Sequence, residues 1–257
     1  MTLPSTRVCA AAAVRPAGIS VVVPCLNERH NVCALLRVLA TASERCDSPV
    51  EVIVVDGGSH DGTADAARSM RVPVRVVVHA CAPGRARQMN RGAASARYAT
   101  LYFVHADTRP PLDCLRAVAA SRRSGARIGG FAFAFDSPRA LLRFNAYWTT
   151  FNVIATRGGD QSIFVEYALY RALEGFDEDW VIMEEYDLLA RAARAGAAYE
   201  LLEGRTLVSD RKYQGRAWAR VQVANIIAMA SWRLGASPRA IRARYVAALG
   251  PGKEALR

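Results

Sequence analysis

The sequence predicts an α/β fold in which helices flank a mainly parallel central sheet. Short runs of β-branched residues alternate along the chain with segments of helical periodicity, and this alternation is typical of βαβ units. The runs are continuously apolar, as expected for strands that are covered by helices on both faces. With 257 residues, 52% of them hydrophobic, the chain can bury a large core and form one domain with a small appendage.

The expected elements follow one another in chain order. Strands are predicted at residues 19–24 (ISVVVP), 50–58 (VEVIVVDGG), 74–80 (VRVVVHA) and 101–107 (LYFVHAD). Helices are predicted at residues 31–44, 63–70, 84–96 and 217–235, and a further helix begins near Glu184 and stops at Gly196. The first helix is supported by apolar residues on one helical face, namely Val32, Leu35, Leu36 and Leu39.

Polar residues collect where the predicted strands end. Asn27 and Glu28 follow the first strand, Asp56 lies near the end of the second, and Asp107 ends the fourth. Ligands of parallel α/β sheets bind beyond the carboxyl ends of the strands. The sequence therefore predicts a binding site at this edge of the sheet.

The segment DGGSHDGT, residues 56–63, has two interpretations. It can be a turn in which Asp61 caps the following helix, or a place where the backbone closely approaches a ligand. It is neither a Walker loop nor a GxGxxG fingerprint, so a P-loop or dinucleotide site is not supported. Asp107 would suit Mg²⁺ or Mn²⁺, because these cations prefer oxygen ligands and need only one or two protein carboxylates.

The charge favours anionic partners. The formal net charge is +11, and nearly all of the excess is arginine, because Lys212 and Lys253 are the only lysines. Phosphates, nucleic acid and an acidic membrane surface are all compatible with this charge. No nucleic-acid motif or interleaved basic and aromatic stripe is present, so a nucleic-acid partner is not expected. The six cysteines show no CxxC spacing, which favours a reduced, cytosolic compartment.

Several motifs together resemble one enzyme family. PCLNE (24–28), VVDGGSHDGT (54–63), GRARQMNRGA (84–93) and FVHADTRPP (103–111) are similar to motifs of family 2 inverting glycosyltransferases of the GT-A fold. The later segments 158–165, 175–196 and 232–245 continue the resemblance in order, and it is closer to a bacterial subgroup associated with radical-SAM/selenium-domain genes. The joint occurrence of these motifs is more specific than any one of them.

The resemblance and the pattern of the C-terminal residues together predict a domain layout. Residues 1–17 would form a flexible extension, residues 18–205 the GT-A domain, and residues 206–257 a C-terminal helical segment. This segment would pack on the domain, on a second subunit in a homo-oligomer, or on a membrane. Its helix at 217–235 has no clean polar face, and Trp218 and Trp232 with flanking arginines would suit a membrane interface.

The resemblance also assigns residues to the donor. Asp107 would hold the metal, while His105 replaces the first acid of the DxD-type motif, which leaves the metal requirement open. Asp56 would hydrogen-bond the uracil or its equivalent. Donor-binding positions are expected at Pro24, Asn27, Glu28, Asp56, Arg85, Asn90, Ala106, Arg211 and Lys212. Of these, Arg211 and Lys212 belong to a basic loop that would reach the diphosphate, or else to a solvated run of charge.

An acidic cluster supplies a candidate base. Transfer to an acceptor hydroxyl requires proton removal, usually by a carboxylate, and Glu184, Glu185 and Asp187 lie together near the start of a helix. By resemblance, Glu185 occupies the position of the catalytic aspartate, and Glu184 is its neighbour. The alternative is that the acids only complement the helix dipole, with Arg191 and Arg194 at the other end.

The expected function is therefore an inverting glycosyltransferase. It would move a sugar from a nucleotide donor, a UDP-sugar, to an unknown acceptor that is a small molecule or a lipid, with Mg²⁺ or Mn²⁺ as cofactor. It would be cytoplasmic or peripheral on the inner face of the membrane. Two alternatives are a sugar-phosphate nucleotidyltransferase, which would need a GxGTR-like loop where PCLNE stands, and a non-catalytic basic protein that binds nucleic acid or membrane.

Overall fold

The computed structural model describes residues 15–137, 139–151, 162–210, 213 and 218–250. The strands are β1 Ile19–Cys25, β2 Val50–Asp56, β3 Arg75–Ala80, β4 Thr100–Phe103, β5 Thr108–Arg109, β6 Ile128–Phe135, β7 Ile163–Glu166 and β8 Tyr199–Val208. The helices are α1 Arg29–Glu44, α2 Thr63–Ser69, α3 Arg85–Ser95, α4 Cys114–Arg123, α5 Ala140–Tyr147, α6 Tyr167–Ala172, α7 Glu184–Arg194, α8 Trp218–Arg233 and α9 Pro238–Leu249. A 3-10 turn, Trp148–Thr150, follows α5.

The strands form one mixed sheet in the order β3-β2-β1-β4-β7-β6-β8-β5. The first four strands in this order are parallel, as are β6 and β8. Strand β7 runs antiparallel to both of its neighbours, and β5 runs antiparallel to β8. The predicted α/β fold is confirmed, and β1, β2 and β4 all end at the same side of the sheet, which is called the carboxyl edge below.

One predicted strand is too long. The strand expected at 101–107 stops at Phe103, so His105, Ala106 and Asp107 lie in a turn in which the Thr108 N–H donates to the His105 carbonyl at 3.1 Å. The reason is topological. Just after this turn the chain enters β5, which pairs with β8 and not with the neighbours of β4.

Alternate residues of β1 point into two different cores. Val21 and Val23 pack with Leu36 and the other apolar residues of α1, whereas Val22 packs with Met89 of α3. This arrangement explains the continuous apolar run, because both faces of the strand are covered. Helix α3 lies very close to β1, since a Cβ at Gly92 would overlap the side chain of Val22.

The C-terminal helices α8 and α9 pack on the sheet through a third core. Buried side chains of α8, including Val221 and Ala224, meet Phe133 of β6 and Leu142 of α5. Trp218 and Trp232 are partly buried against the same core and do not form an exposed pair. The boundary expected after residue 205 falls inside β8, whose last residues belong to the central sheet.

The described residues bear on three further expectations, which concern the N-terminal extension, the membrane and the cysteines. Arg15, in the expected N-terminal extension, donates to the Tyr167 hydroxyl at 2.9 Å, while residues 1–14 lie outside the described residues. No described helix has both the length and the apolarity that a membrane crossing requires. The five described cysteines are free.

Candidate active site

The loops after β1 and β2 are joined by hydrogen bonds. Asn27 adopts a left-handed backbone, with φ 55°, and its N–H donates to Ser59 Oγ at 2.8 Å. The His60 N–H donates in return to Asn27 Oδ1 at 2.9 Å, and the Glu28 N–H donates to Thr63 Oγ1 at 2.9 Å. These bonds hold the two loops as one rigid surface at the carboxyl edge.

Asp56 organises the second loop. Its buried carboxylate accepts from the N–H of Gly58 at 3.2 Å and from the N–H of Ser59 at 3.0 Å. The Ser59 hydroxyl also donates to it. Asp61 accepts from the Arg29 N–H and from the N–H of Thr63, the first residue of α2, but the N-cap position itself is occupied by Gly62 and not by Asp61. The segment 56–63 is therefore both a structured turn and part of the surface at the carboxyl edge.

Gln88 of α3 is hydrogen-bonded to the ends of both β1 and β2. Its buried side-chain amide donates to the carbonyl of Cys25 at 2.7 Å and to that of Val55 at 2.8 Å. A Cβ at Gly57 would come within 3.0 Å of this amide, so the first glycine of the loop leaves room for it. Sequence reasoning missed Gln88, since its partners are carbonyl groups of strands far away in the chain.

The carboxylates that follow the strand ends are near enough to one another to act on the same thiol. Burial raises the pKa of the Cys25 thiol well above its ordinary value, and nearby negative charge raises it further. The carboxylates responsible are those of Glu28, Asp56, Asp107 and Asp61. Asp107 is thus close to the loops after β1 and β2, as the sequence predicted for a carboxyl-edge site.

The two candidate catalytic acids open α7 and are buried. Glu184 has no exposed surface and Glu185 is 3% exposed. Arg85, the first residue of α3, donates its Nε–H to Glu184 Oε1. His105 Nε2 lies 3.4 Å from Glu185 Oε1, which is an ion-pair distance but longer than a well-formed hydrogen bond. The pair therefore joins α3, α7 and the turn after β4.

Three carboxylate oxygens of this pair have no hydrogen bond to the described residues. They are Glu184 Oε2, Glu185 Oε1 and Glu185 Oε2. An unsatisfied buried polar group costs about 1–3 kcal/mol, so native proteins keep few of them, and chiefly where a ligand or a reaction uses them. Since Glu185 Oε1 faces His105 Nε2 at 3.4 Å, Glu185 Oε2 is the oxygen that a hydroxyl group entering the site would meet.

The environment separates the acidities of the two glutamates. Burial raises the pKa of Glu184 to about 7, in spite of the opposing charge of Arg85. Burial acts on Glu185 in the same direction, but Arg85 and His105 outweigh it and lower the pKa of Glu185 to about 2. For His105, burial lowers the pKa, and the nearby Glu185 more than compensates, so its pKa is raised. Two neighbouring acids with separated pKa values are typical of catalytic sites.

The entry into α7 is strained. Met183 immediately precedes Glu184 and has φ 70°, a left-handed conformation that costs a residue other than glycine about 1–3 kcal/mol. Its carbonyl accepts from the Asp187 N–H at 3.1 Å. Asp187 pairs with Arg191 at 2.6 Å within the helix, so the expected dipole complementarity describes Asp187. It does not describe Glu184 and Glu185, which point into the interior.

The remaining expected donor residues are dispersed. Pro24 lies in β1 beside Val55 of β2, and Ala106 is buried in the turn after β4. The amide of Asn90 is taken up by protein groups, because it accepts from the Phe176 N–H at 2.9 Å and donates to the Phe176 carbonyl at 2.8 Å. A contact between Asn90 and the donor would require these bonds to break. Arg211 and Lys212 lie outside the described residues.

Comparison with known proteins identifies the family. The Glycosyl transferase family 2 profile matches residues 20–168, more than half of the chain. The matched segment contains β1 from Ser20 onward, β2 to β4, both joined loops and Asp107. The chain belongs to glycosyl transferase family 2 and is a family 2 glycosyltransferase, an enzyme of nucleotide-sugar glycosyl transfer. No curated protein matches it in sequence.

Solved structures share the fold at low identity. TarS 1–349 of S. aureus is 17% identical, with a TM-score of 0.60, over 89% of this chain and 69% of that chain. A longer TarS structure is covered over 43% of its length. Mannosyltransferase PcManGT from Pyrobaculum calidifontis, in complex with GDP-Man and Mn²⁺, is 19% identical, with a TM-score of 0.61, over 91% of this chain and 70% of that chain.

A third similar structure is glucosyl-3-phosphoglycerate synthase from Mycobacterium tuberculosis, in complex with Mn²⁺ and UDP-glucose. It is 20% identical, with a TM-score of 0.57, over 86% of this chain and 80% of that chain. These likenesses establish the GT-A-like fold of the chain, and their ligands belong to those proteins.

Proposed function

We propose that the protein is an inverting glycosyltransferase that moves a sugar from a UDP-sugar to a hydroxyl group of an acceptor, with Glu185 as the base. One observation carries the proposal: Glu185 is buried at the carboxyl edge, yet neither of its oxygens has a hydrogen bond to the described residues. TarS and the mycobacterial synthase have been solved with UDP-GlcNAc and with UDP-glucose, and PcManGT with GDP-Man, so the choice of uridine rests on the resemblance of the motifs.

The pKa values of Glu184 and Glu185 are consistent with Glu185 as the base. With its pKa lowered to about 2, Glu185 is ionised at neutral pH and can accept the hydroxyl proton as the acceptor attacks the anomeric carbon. Glu184, whose pKa is raised to about 7, is partly protonated and is held by Arg85. A bound diphosphate would compete with Glu185 for the positive charge of Arg85 and His105, and this competition would make Glu185 a stronger base in the complex.

The joined loops would hold the nucleoside. In this proposal Asn27 and Glu28 lie beside the base and ribose, and Asp56 keeps its loop in shape while its acceptor capacity faces the uracil. Arg211 and Lys212 would approach the diphosphate from the C-terminal segment. The assignments of Pro24, Ala106 and Asn90 to the donor rest on the resemblance of their motifs and not on an observed contact.

Asp107 fits a hard divalent cation. Its carboxylate is near the other acids of the carboxyl edge, and within the described ranges no three His, Cys, Asp or Glu side chains form a metal-binding group. A cation held here would take its other ligands from the diphosphate and water, as Mg²⁺ does in nucleotide sites. When bound, it would neutralise charge on the leaving diphosphate. Two similar structures contain Mn²⁺.

A donor panel tests the proposal. Calorimetry with UDP-glucose, UDP-GlcNAc and GDP-mannose, with and without Mn²⁺, should show tighter binding of a UDP-sugar, and Asp107→Asn should abolish the effect of Mn²⁺. His105→Ala should be milder in this assay, because a hard cation prefers oxygen ligands. Failure of every nucleotide sugar to bind, with release of pyrophosphate from a nucleoside triphosphate and a sugar phosphate, would replace the proposal with the nucleotidyltransferase. Steeply salt-dependent DNA binding would instead support the non-catalytic alternative.

Three further assignments belong to the same proposal. The motifs from PCLNE to WRLGASPRAIRARY support membership in the radical-SAM/selenium-domain-associated subgroup. The GT-A domain is proposed to extend to the end of β8 at Val208, and the helical segment after it would contribute Arg211 and Lys212 to the donor site. The acceptor is proposed to be a small molecule or a lipid at the cytoplasmic side.

A further inference from the structure

Helix α5 and the 3-10 turn after it have an exposed apolar face. Five large side chains contribute to it and are about half exposed: Leu141 54%, Phe144 56%, Tyr147 53%, Trp148 47% and Phe151 43%. These five residues are called the α5 face below. The opposite side of the segment is anchored in the protein, since Leu142, Ala146 and Thr149 are buried.

The α5 face is one continuous patch. Leu141, Phe144 and Trp148 are spaced i, i+3 and i+7, which places them on one side of a helix. The rings also touch, with centroid distances of 5.9 Å between Phe144 and Trp148, 5.3 Å between Tyr147 and Phe151, and 5.8 Å between Trp148 and Phe151. Scattered exposed apolar residues are ordinary, but a contiguous aromatic patch marks an interaction surface.

The residues around the face indicate what covers it. Arg139 and Arg143 are exposed beside it, and residues 137–151 contain no aspartate or glutamate. Tryptophan and tyrosine have an apolar body and a polar tip, and they favour the interface between lipid and water. A helix with aromatic residues on one face and arginines beside it is typical of segments that lie on anionic membranes.

We propose that the α5 face docks the protein on the surface of a bilayer that contains anionic lipids. The arginines bind lipid phosphate groups, and the aromatic side chains enter the region between headgroups and acyl chains. The net charge of +11 adds attraction to such a surface. This inference does not depend on the identity of the donor or the acceptor.

The docking surface differs from the one that the sequence indicated. From the sequence, the helix at 217–235 could pack on a core, on a second subunit or on a membrane, and Trp218 and Trp232 would be interfacial only in the last case. Both are partly buried against the third core. The Trp232 ring in addition lies near that of Tyr186 of α7, with a centroid distance of 6.1 Å and the ring planes tilted by 56°. The same core receives Ile182 and Met183, which directly precede Glu184. The α5 face is therefore anchored in the core that also supports the entry into the catalytic helix.

Sedimentation with vesicles tests the docking. Wild type should bind vesicles of phosphatidylcholine with phosphatidylglycerol, should bind pure phosphatidylcholine weakly, and should be released by high salt. The double variant Phe144→Ser/Trp148→Ser should lose about tenfold or more in vesicle affinity, because two aromatic side chains no longer enter the bilayer. Arg139→Gln and Arg143→Gln should each lose about fivefold.

A matched control removes two exposed apolar side chains elsewhere. Leu112→Ser/Leu207→Ser changes leucines that are 42% and 40% exposed outside α5, and it should bind vesicles as wild type does. Quenching by brominated lipids should fall in Trp148→Phe, since Trp148 would be the tryptophan that enters the bilayer. All variants should keep the thermal unfolding and donor binding of wild type, because every changed side chain is exposed and none belongs to the residues assigned to the donor or to catalysis.

Three results would overturn the inference. The first is that wild type does not bind the anionic vesicles. The second is that Phe144→Ser/Trp148→Ser binds them as tightly as wild type does. The third is that Leu112→Ser/Leu207→Ser loses as much vesicle affinity as Phe144→Ser/Trp148→Ser does. A wild-type dimer that becomes monomeric in Phe144→Ser/Trp148→Ser, without vesicle binding, would instead assign the α5 face to a second copy of the chain.

Discussion

Two buried acidic sites of this sheet differ in how fully they are hydrogen-bonded. Glu51, near the start of β2, is 1% exposed, and it accepts from Ser20 Oγ at 2.8 Å, from the Arg97 N–H at 2.7 Å and from Arg75 Nη1 at 2.6 Å. Both of its oxygens are therefore satisfied. At the carboxyl edge, Glu184 and Glu185 are buried to the same degree, but three of their four oxygens have no hydrogen bond to described residues.

The difference separates a structural acid from a candidate catalytic one. A buried carboxylate with donors on both oxygens closes a network and stabilises the fold. A buried carboxylate with open oxygens costs free energy in the absence of ligand, and such a cost is retained where function requires it. Burial alone does not distinguish Glu51 from Glu185. The number of hydrogen bonds that their carboxylate oxygens accept distinguishes the two residues.

The largest expected effect is on turnover. Glu185→Gln should lose about 10²–10⁴-fold in kcat, because general-base catalysis is worth that much, while donor affinity measured by calorimetry changes little. Glu184→Gln should lose less, since Arg85 holds Glu184 away from the reacting proton in this assignment. Glu185→Asp restores the residue that the family has here and should keep substantial activity. Near wild-type turnover in Glu185→Gln together with an inactive Glu184→Gln would reverse the roles of the two acids.

Substitution of Glu51, the structural acid, should lower the stability of the fold and leave turnover nearly unchanged. Glu51→Ala leaves the buried Ser20 hydroxyl without its acceptor and leaves the Arg97 N–H only its longer bond to Ser20 Oγ at 3.2 Å, so the free energy of unfolding in urea should fall by about 3 kcal/mol. Turnover per folded molecule should stay within about twofold of wild type, since the network lies at the opposite end of β2 from Asp56. Glu51→Gln keeps one acceptor oxygen and should cost less. A hundredfold loss of turnover in either variant would show that the comparison is false.

The raised pKa of Glu184 gives a test by pH. Its pKa rises from 4.5 to about 7 in the folded protein, so the folded state holds the proton more tightly and loses stability as pH increases from about 4.5 to about 7. Glu184→Gln cannot lose a proton, so its stability relative to wild type should increase through this window by about 1–3 kcal/mol. Urea unfolding of Glu184→Gln and of wild type at pH 4.5 and at pH 8 measures this relative stability. If the difference between the two proteins is the same at both pH values, Glu184 is already ionised at pH 4.5 in the folded state.

The smallest expected effect concerns the loop after β2. Asp56→Ala removes the acceptor of two backbone N–H groups and the Ser59 hydroxyl, and we expect the donor KM to rise about tenfold. Unfolding should stay cooperative, because Asp56 ends the strand and does not pack in a core. Ser59→Ala is the control: it frees one carboxylate oxygen without removing the charge. Loss of cooperative unfolding in Asp56→Ala would move Asp56 to the structural class that Glu51 represents.

Local patterns were sufficient for the first half of the fold. The strands that became β1, β2 and β3 and the helices α1, α2 and α3 were predicted to within a few residues, because each depends on its own periodicity and buried face. β8 was missed, and the boundary predicted between the GT-A domain and the C-terminal helical segment, after residue 205, falls inside it. Its pairing with β6 has a register shift at Phe131 and Ala132, and β5 has only two residues. Neither has a clear pattern along the chain.

The features of the site also divide into those that local sequence predicted and those that it did not. The sequence alone determined the α/β class, the position of Asn27, Asp56 and Asp107 at one edge, and the acidic start of α7, because strand ends and helix starts are local features. Only the tertiary structure decided which acid meets which cation. Arg85 pairs with Glu184 and His105 approaches Glu185 across the fold, and the α5 face becomes visible only when its opposite side is buried. Such contacts depend on how distant elements pack, and no spacing within the chain encodes them.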